Sequence, residues 1–380
     1  MNQLKSLTKI GIADIIGTGI SAGFWIFLAS LISPETYGEL HYFLSIAAVV
    51  SYLTLIGSQN TITVYVAKKI QIQSTFNFLS LISAIVGFLI LFLIFERVDI
   101  GLLVIGYTVN NLVIGELFGK KEYKSYFKYI LIQKITTPIF GISFFLGFGI
   151  EGVIYGLALT YTAFYFRIIK VFKEVKIDFL LLRKRKGFIV NNYFIALTGT
   201  LHGQIDKLIV MPILGSAILG NYSLSLQIIN ILMIVTSILF KYMVPEEASG
   251  KNIKQIRKIL IINSMGLTLI GLFVVPEILP IVFPEYSESI DAIKIMSLGI
   301  IPMSVVQIYT SKFLALEKSK FIMISIVVFL TALTPSMIIF GDWYGVSGIA
   351  MAFVISTIIQ AIFFYIVNRK WNKKQDKIRN

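Results

Sequence analysis

The sequence predicts an all-α integral membrane protein with twelve transmembrane helices, and three observations carry this prediction. The 380 residues are 56% hydrophobic and only 14% charged, whereas soluble domains carry about 25% charged residues. The apolar residues form continuous runs long enough to cross a bilayer, for which a helix needs about 20 residues. Basic and acidic residues alternate in successive connections between these runs. A water-soluble fold could not bury so much apolar surface.

Twelve apolar runs are separated by charged or turn-forming residues. Because they are continuously apolar, they disfavour a transmembrane β-barrel, whose strands alternate. Together they leave room only for short loops and two tails, and not for a soluble domain. Spans 1 to 6 cover residues 10–32, 40–66, 76–95, 100–118, 129–148 and 152–171, and spans 7 to 12 cover residues 188–214, 222–240, 259–282, 293–311, 321–340 and 346–367.

The basic residues predict the orientation of these spans. Nearly all lie in the two tails, in alternate connections or at the adjoining end of span 6, and the exceptions are Arg97, Lys134, Lys207 and Lys294. The opposite connections are acidic. The positive-inside rule therefore places both termini in the cytoplasm of a multi-pass plasma-membrane protein. The net charge of +14 is spread over short loops, whereas a nucleic-acid binder needs one basic face.

A basic, partly apolar segment divides the spans into two groups of six. We predict an N-terminal lobe of residues 1–172 and a C-terminal lobe of residues 188–368. Residues 173–187 form an interfacial helix on the inner leaflet between them, and residues 369–380 form a basic cytoplasmic tail. Basic amphipathic segments of this kind lie against anionic headgroups.

Local matches about 196 positions apart indicate that one half duplicates the other. Residues 149–153 (GIEGV) open span 6 and residues 345–349 (GVSGI) open span 12, while Thr-Pro pairs at Pro138 and Pro335 interrupt spans 5 and 11. Six spans per half give a parallel repeat with two pseudo-symmetric lobes. Matching breaks are typical of helices that line a substrate path, which makes both prolines candidate hinges. Tolerated kinks are the alternative.

Charged side chains inside spans usually face a bundle interior or a wet cavity, because lipid solvates them poorly. Asp206 and Lys207 lie deepest, and Lys134 directly precedes the break at Pro138. Apart from Arg167 and Lys170 at the basic end of span 6, the charged residues within or at the ends of spans are Asp14, Glu116, Lys134, Asp206, Lys207, Glu277 and Lys294, of which Asp14, Glu116, Glu277 and Lys294 lie close enough to span ends to reach headgroups.

Span 7 carries the densest set of polar residues. Spacings of 7, 4 and 4 place four of them on one helical stripe, and a second pair three residues apart lies on another face. We predict that the stripe faces a central cavity, with Lys134 as a partner from span 5. The alternative is that these groups only neutralise neighbouring helices. The stripe contains Asn191, Thr198, His202 and Asp206, and the second pair is Gln204 with Lys207.

No pattern of catalytic residues is present. The chain has no cysteine and only two histidines, His41 and His202, which cannot by themselves form a metal site. It contains no phosphate-binding glycine loop with lysine, no metalloprotease helix motif and no nucleophile elbow. We therefore expect neither enzymatic activity nor a cofactor.

Several segments together resemble the Wzx-type polysaccharide-unit flippases, a family of the multidrug/oligosaccharidyl-lipid/polysaccharide (MOP) exporter superfamily. The resemblance covers nearly the whole chain, and the order of the segments carries it. They are residues 33–39 (SPETYGE), 206–210 (DKLIV), 219–222 (LGNY), 244–246 (VPE), 314–318 (LALEK) and 343–350 (WYGVSGIA).

The resemblance implies two six-helix lobes around a V-shaped central cavity that opens alternately to either side. It implies transport of a polyprenyl-diphosphate-linked oligosaccharide from the inner to the outer leaflet. Lys134 and Lys207 would then contact the diphosphate, and Asp14, Asp206 and His202 are weaker candidates for ion coupling. Membrane lipids, and glycosyltransferases or a polymerase of the same pathway, are the expected partners.

Two alternatives remain open at this point. One is a MATE-like multidrug antiporter of the same superfamily, with Asp14 or Asp206 as its cation site. The other is a membrane scaffold that assembles a glycan-synthesis complex without transport.

Overall fold

The computed structural model describes residues 2–56 and 59–379, with side chains described for residues 16–56 and 59–373. No strand occurs among these residues. The first eight helices are α1 (Asn2–Ala29), α2 (Pro34–Thr54), α3 (Gln59–Ala67), α4 (Gln73–Phe95), α5 (Val98–Gly119), α6 (Tyr123–Leu159), α7 (Thr162–Glu174) and α8 (Phe179–Lys184). The next eight are α9 (Lys186–Leu214), α10 (Ser216–Leu232), α11 (Ile234–Ala248), α12 (Lys254–Leu269), α13 (Val275–Val282), α14 (Ser289–Leu298), α15 (Ile300–Ala315) and α16 (Ser319–Arg379), with a π-helical stretch, Ile270–Val274, between α12 and α13.

The chain is a multi-pass membrane protein. Within the described residues, five helical stretches are long and apolar enough to cross a bilayer, and three bent helix pairs raise the number to eight. Two of the five, Tyr123–Glu174 with 52 residues and Ser319–Lys373 with 55, are far longer than one span requires. The count of twelve spans and the orientation of the termini stay predictions.

A glycine divides each of these two long stretches. Gly149 in α6 has φ 64° and ψ −145°, and Gly345 in α16 has φ 57° and ψ −132°. Residues with a Cβ rarely adopt such dihedrals. The two kinks fall where predicted span 5 meets span 6 and where span 11 meets span 12, at the matching positions expected of a duplication.

The proline breaks differ from the expectation. Helical dihedrals continue through Pro138 and Pro335, since the non-helical residues in these two helices are the glycines. Because proline lacks an amide hydrogen, the Lys134 carbonyl has no helical donor four residues later. The Thr137 hydroxyl donates to the Gln133 carbonyl at 2.8 Å. The break is therefore a missing hydrogen bond and not a change of backbone path, and the hinge role of both prolines stays a prediction.

Further local details repeat at the same offset. A Cβ added to Gly152 would collide with the Phe144 carbonyl, and one added to Gly348 would collide with the Phe340 carbonyl. The C-terminal ends of α5 and α15 also match. In each, a residue after the helix has left-handed backbone dihedrals, and the amide of the next residue donates a hydrogen bond to a carbonyl in the last helical turn. The left-handed residues are Lys121 and Glu317, and the bonds run from Glu122 N to Leu117 O at 2.9 Å and from Lys318 N to Phe313 O at 2.8 Å.

Contacts divide the chain into two compact units. The first contains Met1–Leu28 and Tyr42–Gln204, and the second contains Ala29–His41 and Ile205–Asn380. The connection after the first span therefore packs with the second unit, and the unit boundary in α9 falls between Gln204 and Ile205. The predicted lobes of residues 1–172 and 188–368 stay a prediction.

The predicted interfacial linker, residues 173–187, is attached to the first turn of α4. The Ser74 hydroxyl donates to the Val175 carbonyl at 2.5 Å, and the Asp178 amide donates to the Thr75 hydroxyl at 2.8 Å. Asp178 also caps the short helix α8. These bonds hold the linker within the first unit, and its place on the inner leaflet stays a prediction.

We expect Gly348→Ala and its repeat partner Gly152→Ala each to destabilise the protein by about 1–3 kcal/mol, because the new methyl group must displace a backbone carbonyl. The measurement is the thermal unfolding temperature of the detergent-solubilised protein. Gly147→Ala is the matched control, since nothing lies within 4 Å of a Cβ at that position. An equal loss of stability in the Gly147 variant would contradict this account of the repeat.

Candidate functional site: the polar residues of α9 and the contacts of α2 and α10

Asp206 and Lys207 form a charged cluster with Tyr222 in the second unit. The Tyr222 hydroxyl donates to Asp206 Oδ2 at 3.0 Å, and Lys207 Nζ lies 3.2 Å from Asp206 Oδ1. Asp206 is 7% exposed and Tyr222 is fully buried. A carboxylate buried in a membrane protein is tolerated when it is paired and hydrogen-bonded. Two of the segments that carry the family resemblance, DKLIV and LGNY, therefore meet in one cluster.

The first turns of α2 and α10 cross at two glycines. A Cβ on Gly38 would collide with the Ser216 carbonyl, and a Cβ on Gly220 would collide with the Pro34 carbonyl. Pro34 and Ser216 are the first residues of α2 and α10. Each glycine therefore lies against the first residue of the other helix. Small residues allow helix backbones to approach this closely in membranes. The crossing joins the SPETYGE and LGNY segments within the second unit.

An aromatic cluster lies beside this crossing. The Tyr37 ring lies 4.4 Å from the His41 ring and 6.1 Å from the Tyr286 ring, between centroids. The Tyr286 hydroxyl donates to the Ile32 carbonyl at 2.9 Å. Burial, together with the nearby acidic residues Glu285 and Glu35, raises the pKa of the Tyr286 phenol well above its ordinary value. These contacts attach residues 29–41 to the chain after α13, around a cavity of about 230 Å³.

Lys134 lies half-buried in α6 of the first unit. A Cβ on Gly17 would lie 3.0 Å from Lys134 Cγ, so the aliphatic part of the lysine packs on α1. Packing of the stem leaves the ammonium group to reach polar surroundings, as is usual for lysine at apolar surfaces. Asp14, the other candidate from this part of the chain, lies outside the residues whose side chains are described.

The other polar residues of span 7 lie in the first unit. Asn191 is exposed, and Thr198 and His202 are intermediate in exposure. The Thr198 hydroxyl donates to the Phe194 carbonyl at 2.7 Å, and the Ser45 hydroxyl donates to Gln204 Oε1 at 2.8 Å. The structure thus pairs Asp206 with its neighbour Lys207 and with Tyr222, and the common cavity for the whole stripe stays a prediction.

Two ion clusters went unpredicted, and the first of them is built on a buried carboxylate. In the first unit, Glu116 is 3% exposed, and its carboxylate lies 2.7 Å from Lys120 Nζ and 3.2 Å from Arg167 Nε. Sequence position placed Glu116 close enough to headgroups to be set aside. The spacing of Glu116 and Lys120 by four residues was an available signal, but Arg167 comes from a distant part of the chain.

The equivalent end of the second unit carries a different cluster. Glu247 pairs with Arg257 and accepts a hydrogen bond from the Ser311 hydroxyl at 2.9 Å. Lys312 Nζ donates to Asn368 Oδ1 at 2.6 Å. Lys312 occupies the position that Glu116 occupies in the first unit, so the duplicated halves carry opposite charges there.

Among the described residues, no group of three or more histidine, cysteine, aspartate or glutamate side chains could hold a metal ion.

We expect Tyr222→Phe to lower the stability of the protein by about 1–2 kcal/mol, because the buried Asp206 carboxylate loses a donor. Thermal unfolding in detergent measures the change. Tyr344→Phe is the control, since that ring is 59% exposed. A Tyr222 variant as stable as the parent protein would show that the hydrogen bond does not hold α9 to α10.

Comparison with known proteins gives a family match to the last part of the chain and a fold for nearly all of it. The family model described as lipid II flippase MurJ matches residues 283–379. No curated protein matches the sequence significantly.

Solved structures match almost the whole chain. An inward-closed lipid II flippase MurJ has a TM-score of 0.74 at 14% identity, covering 94% of this chain and 87% of the other. An inward-facing multidrug resistance MATE family transporter of the MOP superfamily has a TM-score of 0.71 at 13% identity, covering 98% and 99%. A MOP superfamily transporter from Pyrococcus furiosus has a TM-score of 0.57 at 13% identity, covering 96% and 95%. At these identities the similarity concerns the fold, and the chain has the fold of the MOP superfamily transporters.

Proposed function

We propose that the protein is a membrane transporter that moves a lipid-diphosphate-linked oligosaccharide from the inner to the outer leaflet by alternating access. The observation that carries this proposal is the match of residues 283–379 to a family of lipid II flippases, since lipid II is itself a lipid-linked substrate. The MOP fold over nearly the whole chain supports it. Transport of this kind needs no catalytic residue, and we propose no enzymatic activity.

The proposed substrate path is a polar cavity within the bilayer. A glycan and its diphosphate require a hydrated, hydrogen-bonding path, while the lipid tail stays in hydrocarbon. The cavity residues that we propose are those of the span 7 stripe and its neighbours, with Pro138 and Pro335 as hinges of the lining helices. They are Asn191, Thr198, His202, Gln204, Asp206, Lys207 and Lys134.

Two lysines are proposed to contact the diphosphate. An ammonium group has three donors, and Lys207 directs its own toward the oxygens of Asp206. In our proposal the Lys207 ammonium therefore donates hydrogen bonds to the diphosphate, while Asp206 balances its positive charge. Lys134, with its stem packed on α1, is the second proposed donor. Phosphate oxygens accept such charge-assisted bonds strongly.

A cation-coupled multidrug antiporter is the second candidate, favoured by the match to multidrug resistance MATE transporters over 98% of this chain. In that case Asp14 or Asp206 would hold the coupling ion. Both carboxylate oxygens of Asp206 already have partners in Tyr222 and Lys207, which weighs against an ion site at this carboxylate. Glycosyltransferases or a polymerase of the same pathway are proposed as partners of the flippase.

We expect Lys134→Ala and Lys207→Ala each to reduce glycan export in cells by about tenfold or more, because each removes a charged donor to phosphate. Export is measured as surface glycan per amount of transporter in the membrane. Lys294→Ala is the control, since that side chain is exposed and pairs with Asp291 at 3.4 Å.

If both variants exported glycan like the parent protein at equal protein level, the assignment of the two lysines to the diphosphate would be wrong.

A further inference from the structure

The part of α16 that follows Gly345 carries an apolar stripe and, further along the same face, a group of basic residues. After Gly345, residues at spacings of three and four are large, apolar and exposed. In a membrane protein such a stripe faces acyl chains. One turn after its last member come Arg369, Lys370 and Lys373, which are also exposed. The apolar members are Ile355, Ile358, Ile359, Ile362, Tyr365 and Ile366, with exposures from 38% to 56%.

The start of α16 passes through the same change in reverse. Lys320, Met323 and Val327 follow one another at spacings of three and four and are all exposed. The hydrocarbon boundary near the start of α16 therefore lies between Lys320 and Met323. Near the end of α16 it lies between Ile366 and Arg369.

A direct contact shows that the two boundaries lie at one level. Lys318 Nζ lies 5.3 Å from the centre of the Trp371 ring, and the Phe321 and Trp371 rings are 6.1 Å apart. Tryptophan and tyrosine are typical of the boundary between hydrocarbon and headgroups. Trp371 and Tyr365 thus mark the bilayer surface at this end of the second unit, which the charge distribution predicts to be cytoplasmic.

The Trp371 ring rests on a rigid base. The Phe313 ring stacks on the Phe364 ring, with centroids 5.7 Å apart, and its centroid lies 5.2 Å from that of Phe321. Phe321 in turn contacts Trp371. Lys312 Nζ ties the end of the helix to α15 through Asn368 and Asn372, at 2.6 Å and 3.1 Å. The basic surface is therefore a built feature of the fold and not a loose tail.

The charge of this surface is strongly positive. In residues 312–321 and 364–373, Glu317 is the single acidic residue. The exposed cations are Lys318, Lys320, Arg369, Lys370 and Lys373.

We propose that this surface is a binding site for an anionic phospholipid such as phosphatidylglycerol. Its acyl chains would lie on the apolar stripe of α16 after Gly345, and its phosphate would lie among the cations beside Trp371. Three features favour a lipid over a protein partner: the apolar stripe continues directly into the basic residues, the cations on both helices lie at one level, and an aromatic ring lies at the boundary. The site is independent of what the protein transports.

The test uses Trp371 as its own reporter. The three tryptophans are Trp25, Trp343 and Trp371, so Trp25→Phe combined with Trp343→Phe leaves one. The full-length protein is reconstituted into vesicles that contain a brominated lipid, either phosphatidylglycerol or phosphatidylcholine, with bromine near the headgroup end of the chain. Bromine quenches the fluorescence of a ring that it touches.

We expect Trp371 to be quenched by both lipids and to prefer phosphatidylglycerol by at least about threefold, since each basic residue near the surface attracts anionic lipid. High salt should reduce the preference by screening. Lys318→Gln with Lys320→Gln should reduce the preference toward one and leave quenching by phosphatidylcholine unchanged. The control removes two exposed lysines from the first unit, Lys173→Gln with Lys176→Gln, and should leave the preference as it was.

Three results would overturn the proposal. The first is a Trp371 that neither lipid quenches, because the ring would then not lie at the lipid surface. The second is equal quenching by the two lipids. The third is a control variant that loses the preference as fully as the Lys318 and Lys320 variant, because the attraction would then come from total charge and not from this site.

Discussion

The rest of the structure depends on one constraint: a charge inside a lipid bilayer must find its partner within the protein. Water is absent there, and an unpaired ion is costly. Asp206 meets this constraint through Lys207 and Tyr222, and Glu116 meets it through Lys120 and Arg167. The Tyr222 bond joins α9 to α10, and the Arg167 bond joins α5 to α7. A charge that a transporter offers to its substrate must also be balanced when the substrate is absent, and the pairing of Lys207 with Asp206 has this property.

Glycine meets a second requirement, close contact between helix backbones that lack a hydrophobic driving force in lipid. Gly38 and Gly220 let the first turns of α2 and α10 touch. Gly149 and Gly345 kink the two longest helical stretches at positions that correspond between the halves. Glu116 and Lys312 also correspond but carry opposite charge. The matching backbone features of the two halves are thus kept, while the charges at this position differ.

Sequence reasoning predicted the helical class, the membrane location and the superfamily fold, because these follow from apolar runs, composition and ordered segments. It also selected Asp206 and the GIEGV and GVSGI pair. It did not predict Tyr222 as the partner of Asp206, because hydropathy says nothing about which helices touch. Glu116 was set aside for a similar reason, since its partner Arg167 lies 51 residues away. The packing of residues 29–41 with the second unit was equally invisible, because it depends on a tertiary crossing of two glycines.

The proposed activity is the movement of a lipid-linked diphosphate glycan across the bilayer. The most direct measurement reconstitutes the purified protein into vesicles that contain a polyprenyl-diphosphate oligosaccharide and follows how much glycan becomes accessible to an enzyme added outside. We expect accessibility to rise from the outer-leaflet fraction toward completion, and we expect Lys134→Ala to slow the rise. Vesicles that exchange cations for a cationic drug while the glycan stays in its leaflet would contradict the claim.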